Sequence, residues 1–407
     1  MADQITRERN VVQAHSLSEP AAVGGFFAEM QAAFNEDYRE FVIDFRNVEK
    51  AFPNVGTPIA GAVQFYASQR HCKFEFTNVS ESVRRAWIVE PRRVADSGTD
   101  VQTSTMNTVW CFTSSADVNR LTNGFVAAVA QAAVCGPGAL DALDWSINEV
   151  MDNVLQHSLV DRGFVMGQIH RNTTRVAICV FDYGQGIFKS LKESHRPRSA
   201  VEAIEAALRE GVTRDARIGQ GNGLWGLHNI VKQNSGQLNI ISGPGRYSLK
   251  GDDVTTGSMQ PFLDRDYEST RVDIQIDFSK GIALSQALGG FQPADHRTES
   301  IEDDLGNMVV RLIEKASGRG TRKSGEALRN EVINLAGQST ALIVLDFGEV
   351  NVVSSSFADE FVGKLVVAFG FIAFTQRFRL ANMNPTVEAV VNRSVSQRMG
   401  EIFKARE

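Results

Sequence analysis

The chain of 407 residues is too long for one ordinary domain and fits two or three. Charged residues make up 22% and hydrophobic ones 43%, and the net charge of −6 is spread without long runs of one sign, which argues against a nucleic-acid or membrane surface. The longest apolar stretch, residues 364–374 (KLVVAFGFIAF), is far shorter than the roughly 20 residues that cross a bilayer and reads as a buried helix running into a strand.

The first residues, MADQITRERN, carry charge with no apolar core behind them, so no secretory signal is expected. The N-terminal piece then reads FVIDFRNV at 41–48, an apolar helical stretch, and CKFEFTNV at 72–79. A polar stretch at 92–107 and a Gly-, Pro- and charge-bearing one at 281–303 have no helical period and suit linkers or surface loops. They predict an N-terminal domain over 1–104, a central one over 105–282 and a C-terminal one over 283–407. The C-terminal piece repeats the N-terminal order: IVLDFGEV at 343–350, an apolar helical stretch, then RFRLANM at 377–383. Asp44 pairs with Asp346 and Asn78 with Asn382, with a two-residue difference in the spacing between them. Both copies predict βαβα order, a sheet covered by helices.

In the central piece the pattern predicts helices at 119–134 and 139–158, strands at 163–170 and 175–182, and a helix at 199–210. A glycine cluster, a helix at 225–234 and strands at 237–242 and 270–278 follow. Helices first and mostly hairpin-connected strands later suggest an α+β sandwich, with helices on one face of a mixed sheet. Cys72, Cys111, Cys135 and Cys179 are scattered without a CxxC pair, and Cys179 lies in the apolar run VAICVF. A reducing, cytoplasmic setting is the simplest expectation, and a disulfide framework is not.

Three segments carry chemistry. On the helix at 139–158, Glu149, Asn153 and His157 recur every four residues and share one face beside an apolar stripe. Alone, such a row ordinarily marks a solvated face. Next, DYGQG at 182–186 follows an apolar strand. It reads either as a tight turn or as a carboxylate that accepts from an exocyclic amine such as adenine's, with glycines allowing close approach. Last, GQGNGLWGL at 219–227 opens a helix. It is either a flexible surface loop or a set of backbone amides around phosphates; it is neither a Walker A loop nor a dinucleotide fingerprint.

Together, E-x3-N-x3-H, DxGxG and GxGxGL over about residues 105–280 resemble the GHKL (Bergerat-fold) superfamily, which joins DNA gyrase B, MutL-type ATPases, histidine kinases and anti-sigma-factor serine kinases. The resemblance implies an ATP-Mg²⁺ pocket. In it Asn153 would ligate Mg²⁺, Asp182 would hold the adenine amine, and Gly184 and Gly186 would line the base. Gly219, Gly221, Gly223 and Leu224 would lie against the phosphates, Thr270 would match a pocket threonine, and residues 188–218 would form a mobile lid. Trp225 is a departure, inserted where many kinases run GLGL. Glu149 matches the carboxylate that activates water or a hydroxyl in the family's ATPases and serine kinases, which favours hydrolysis or serine/threonine phosphorylation. His157 either packs beneath the site or hydrogen-bonds there.

The C-terminal piece, V-x-D-F-x-x-V followed by SSSFADEF, resembles STAS-like domains, the partners in anti-sigma switching, whose phosphorylatable serine starts a helix. Ser355 is the best positional match within Ser354–Ser356, though serine there also serves as a helix cap. In the N-terminal copy, AFPNVGTP offers only Thr57, so that copy is expected to be a structural or partner-binding module. The functions implied are serine/threonine phosphorylation of a STAS-like domain, in this chain or in a partner, or an ATP-hydrolysing switch acting through a regulatory partner or homodimer. A histidine kinase ranks last, because His15 lacks the long amphipathic helices of an acceptor segment.

Overall fold

The computed structural model describes residues 4–98, 101, 105–212, 222–264, 266–293, 299–315 and 320–404. The chain divides into two compact units: 1–128, 142–278 and 282–291 form the first, and 129–141, 279–281 and 292–407 the second.

The first unit begins with a hairpin, β1 (Ile5–Glu8) and β2 (Val11–Ala14), then α1 (Ala21–Asn35), β3 (Glu40–Asp44), α2 (Pro53–Gln69), β4 (Lys73–Thr77) and α3 (Glu81–Arg85). Strands β2, β3 and β4 pair in parallel, as crossover helices require, and β1 adds an antiparallel edge. The hairpin and α1 are additions to the expected βαβα order.

An eight-stranded sheet follows, ordered β11-β10-β9-β12-β8-β7-β6-β5. Its members are β5 (Arg92–Arg93), β6 (Trp110–Phe112), β7 (Gly163–His170), β8 (Arg175–Asp182), β9 (Gln237–Ser242), β10 (Gly245–Lys250), β11 (Asp253–Ser258) and β12 (Thr270–Asp277). The interleaved helices are α4 (Ser115–Ala132), α5 (Ala139–His157), α6 (Gly186–Leu191), α7 (Ala200–Ala207), α8 (Gly223–Asn234) and α9 (Leu284–Ala287). β5 pairs in parallel with β6 and the remaining pairs are antiparallel. The stretch at 92–107, expected to be a linker, therefore supplies an edge strand. The β10–β11 hairpin was hidden because β11 is exposed along its whole length and carries no apolar alternation.

Strand alternation gives the sheet two faces. On one, Ile178, Val180 and Asp182 of β8 lie beside Thr270, Val272 and Ile274 of β12. Phe125 of α4 reaches that face at Gly167 and Ile178. On the other, Gly61 of α2 seats against Phe181 and Phe164, and Gly56 of α2 meets Met166. The sheet is thus covered on both faces, which revises the expectation of helices on one face. The second layer is α2 of the N-terminal module, so one core runs from Phe27 and Phe65 to Phe164, Phe181 and Tyr183.

The second unit carries a parallel three-stranded sheet ordered β13-β14-β15: β13 (Met308–Arg311), β14 (Ile343–Asp346) and β15 (Phe378–Ala381). Its helices are α10 (Leu312–Lys315), α11 (Arg322–Gln338), α12 (Ser355–Ala358), α13 (Lys364–Phe369), α14 (Phe371–Arg377) and α15 (Pro385–Lys404), with a π-helical turn at Asp359–Gly363 joining α12 to α13. The buried helix and strand expected at 364–374 are instead two helices broken at Gly370, whose φ of 76° is left-handed. Phe371 and Ile372 there are exposed, and the strand starts at Phe378.

The internal repeat is visible atom by atom. Asp44 accepts from Asn78 at 3.0 Å and from the Arg46 N–H at 3.0 Å; Asp346 accepts from Asn382 at 2.8 Å and from the Gly348 N–H at 2.9 Å. Phe45 N–H bonds Thr77 O at 3.1 Å, as Phe347 N–H bonds Ala381 O at 2.9 Å. The π-helical turn, which takes up one extra residue, accounts for part of the two-residue difference in spacing.

Candidate functional site

On the face of the sheet opposite α2 lies a cavity of about 360 Å³. Its walls are α5, the ends of β8 and β12, the turn into α6 and the start of α8, with Leu288 and Phe291 closing one side. Glu149, Asn153, His157, Asp182, Gly186, Gly223, Leu224 and Thr270 all line it. Gly184, expected to line the base, is not among the lining residues. Ser355 belongs to the other unit, and Gly219 and Gly221, with residues 213–218 of the expected lid, lie outside the described residues.

Asp182 ends β8 directly opposite Thr270. Burial pushes its carboxyl up to about 7, against a lowering bond from the Gly184 N–H at 2.8 Å. A β-carbon on Gly184 would collide with the Ser158 carbonyl oxygen, so the turn leaving Asp182 requires glycine there. Gly186 has φ 73°, again left-handed. Gln185 pins the turn to the end of α5 through the carbonyls of His157 (2.6 Å) and Ser158 (2.9 Å). Ser242 pins it to the sheet, accepting from the Ile187 N–H at 2.8 Å and lying 3.1 Å from the Thr270 hydroxyl. Tyr183 points the other way, into the core shared with α2, its ring 5.7 Å from that of Phe65.

Glu149 is raised above the usual carboxylate range by burial, with Asp152 adding to the effect. A β-carbon on Gly223 would strike Oε2 of Glu149 and lie 3.5 Å from Nδ2 of Asn153. The bare first residue of α8 therefore lets helix and carboxylate meet. Asn153 Nδ2 is buried with no hydrogen-bond partner among the described residues, an arrangement that ordinarily calls for one. The first N–H groups of α8, at Gly223, Leu224 and Trp225, have no acceptor within the helix and border the cavity. Among the described lining residues the carboxyl groups are those of Glu149, Asp152 and Asp182, and no Lys or Arg stands with them.

Sequence reasoning missed Trp145, one turn before Glu149 on the same face, although the four-residue row extends to it. It also missed Leu288 and Phe291, which lie beyond the expected end of the central domain yet belong to the same compact unit as the cavity. Trp225 lines the cavity and meets Gly289, where a β-carbon would lie 3.0 Å from its ring.

In the second unit the cap of α12 is Ser354, whose hydroxyl accepts the Phe357 N–H at 3.1 Å and lies 3.0 Å from that of Ser356. Ser355, the first helical residue, is exposed and takes no part in the cap. Thr57 of the N-terminal module, the one hydroxyl expected to be eligible there, is fully buried inside α2, which removes it as an acceptor.

Residues 324–388 match the family described as a STAS-like domain of unknown function (DUF4325), a span that holds β14, Ser355 and β15. Comparison with curated proteins and with solved structures returns no match. No helix among the described residues is long and apolar enough to cross a membrane.

Proposed function

We propose that the cavity binds ATP with Mg²⁺ in the manner of a GHKL pocket, and that the chain uses it to phosphorylate a serine or threonine of a STAS-like domain, its own or a partner's. The reading is carried by one observation: residues singled out in separate sequence segments converge on a single cavity. In this reading Asp182 accepts from the adenine amine, which suits a buried carboxyl whose one bond among the described residues is from a backbone N–H. The α8 amides receive the phosphates. Asn153 would ligate Mg²⁺ through its side-chain oxygen, while its buried Nδ2, without a partner among the described residues, suits a donor to a phosphate oxygen.

Glu149 is then the general base. The acceptor hydroxyl gives its proton to Glu149 as its oxygen bonds the γ-phosphorus, and the bond to the β-phosphate oxygen breaks to release ADP. Ser355 suits the acceptor role, being exposed, at a helix start and free of capping duty.

A second reading, an ATP-hydrolysing switch in which the flanking modules only bind, draws on the sheet itself. Asp182 faces the cavity while its neighbours Phe181 and Tyr183 pack into the N-terminal module, so occupancy has a direct mechanical route to it. Incubation of wild type, Glu149→Ala and Ser355→Ala with γ-labelled ATP separates the two. Acid-stable label on protein, lost in both variants, supports phosphotransfer. Free phosphate without protein label, lost only in Glu149→Ala, supports the switch, and neither product in wild type removes both.

A further inference from the structure

The repeat aligns the two helix starts. The residue capping α2, Phe52, lies eight positions after Asp44, and the cap of α12, Ser354, lies eight after Asp346. Pro53 therefore stands where the C-terminal copy has Ser355, and Asn54 where it has Ser356. Pro53 is buried and has no hydroxyl.

The surroundings of the two starts differ as much as their residues. Ser355 is exposed, whereas the start of α2 lies on the back of the eight-stranded sheet over Asp273 and Arg271 of β12. Asn54 Nδ2 approaches Asp273 Oδ2 at 3.4 Å, and Asn239 does the same from β9, also at 3.4 Å. Arg271 Nη1 returns a bond to the Asn54 carbonyl at 3.2 Å. Asp273 is 2% exposed, so its carboxylate needs these donors, and the positive end of α2 adds to them. The same strand alternates: Thr270 and Val272 line the cavity, while Arg271 and Asp273 hold the module.

We propose that the N-terminal module is an acceptor-less copy of the C-terminal one, latched to the back of the sheet by Asp273, its helix start serving as a docking contact. The word acceptor rests on the phosphotransfer reading; the latch does not.

The test is hydrogen exchange of the full chain without nucleotide, read on peptides covering α2 and, as references, α5 and α11. Asn54→Asp sets a second carboxylate against Asp273 and should speed exchange in α2 by about tenfold or more, since like charges in a buried contact repel strongly. An acidic residue in the first turn by itself favours a helix, so such loosening cannot come from lost helix propensity. Adding Asp273→Asn exchanges donor and acceptor and should restore the wild-type rate. Unchanged α2 protection in Asn54→Asp, or loosening that survives the exchange, overturns the latch. Because no nucleotide is present, either result is independent of whether the cavity takes ATP.

Discussion

Asn382 donates its side-chain amide to Asp346 at 2.8 Å, and Asn78 makes the same bond to Asp44 at 3.0 Å. Both asparagines are left-handed, with φ of 57° and 50°, as the chain turns off a strand into the carboxylate's reach. Asp44 is the more buried of the pair and also binds the Arg46 side chain at 2.7 Å. Burial pushes its carboxyl up, but the bonds from Arg46 and Asn78 outweigh that and hold it below the usual range. A depressed carboxyl stabilises the fold above its unfolded pKa and loses that contribution as pH falls through the folded value. Asp44→Ala should therefore lower stability by about 2 kcal/mol near neutral pH. In urea titrations, the gap to wild type should narrow below about pH 4; a gap that does not change with pH contradicts the assignment.

Gly184→Ala should be more damaging than its size suggests. The added methyl meets the Ser158 carbonyl oxygen, a backbone atom tied to Gln185 N–H at 2.9 Å that has nowhere to go. A loss of about 2–3 kcal/mol is expected, as for overpacking against rigid backbone. Gly24, where a β-carbon meets nothing within 4 Å, is the control: Ala there should leave the melting temperature unchanged or raise it.

Much of this was legible because it was local. The four-residue row Glu149, Asn153, His157 lies on one helix, and β7, β8 and β9 run over the residues that apolar runs predicted. The Asp–Asn repeat was readable because identical turns need identical residues. What escaped depends on tertiary placement. Whether Asp182 is a surface turn or a buried carboxyl is decided by α5 and the Asp182–Gly186 turn closing over it. That α2 covers the back of the sheet is decided by Gly56 and Gly61, which in sequence read only as small residues in a helix. Thr57 read as an eligible hydroxyl for the same reason.

Asp182 should give the cavity an acid limb. With the carboxyl raised by burial to about 7, a ligand that donates to it binds the ionised form. Affinity for Mg²⁺-ATP should fall as pH drops below about 7, by up to about tenfold per pH unit. The linkage to folding has the opposite sign to that of Asp44. A raised carboxyl stabilises below its unfolded pKa and loses that contribution as pH climbs from about 4 to about 7. Asp182→Asn should abolish the binding inflection and reduce preference for ATP over GTP. Calorimetric titrations across that range check both, and an inflection retained in the variant would show that another group carries it.

Asn153→Ala should remove the metal dependence of binding. Its buried Nδ2 has no partner among the described residues, so truncation should shift stability by less than about 1 kcal/mol. Affinity for ATP in the presence of Mg²⁺ should fall to the level seen with chelator, at least about tenfold. Equal Mg²⁺ enhancement in wild type and variant would move the metal away from Asn153.

Glu149→Gln distinguishes a base from a binding residue. The carboxyl sits against the first residue of α8, where the amides proposed to receive phosphate begin, and burial with Asp152 nearby keeps its proton affinity high. Glutamine preserves the contact with Gly223 and removes the ability to take a proton. Turnover should fall by roughly 10²–10⁴, the usual worth of a positioned base. Nucleotide affinity should hold or tighten, because one negative charge beside the phosphates has gone. A parallel loss of affinity and turnover would mean that Glu149 shapes the pocket without acting on the proton, and the base would then have to be sought in Asp152, the other unassigned carboxylate lining the same wall.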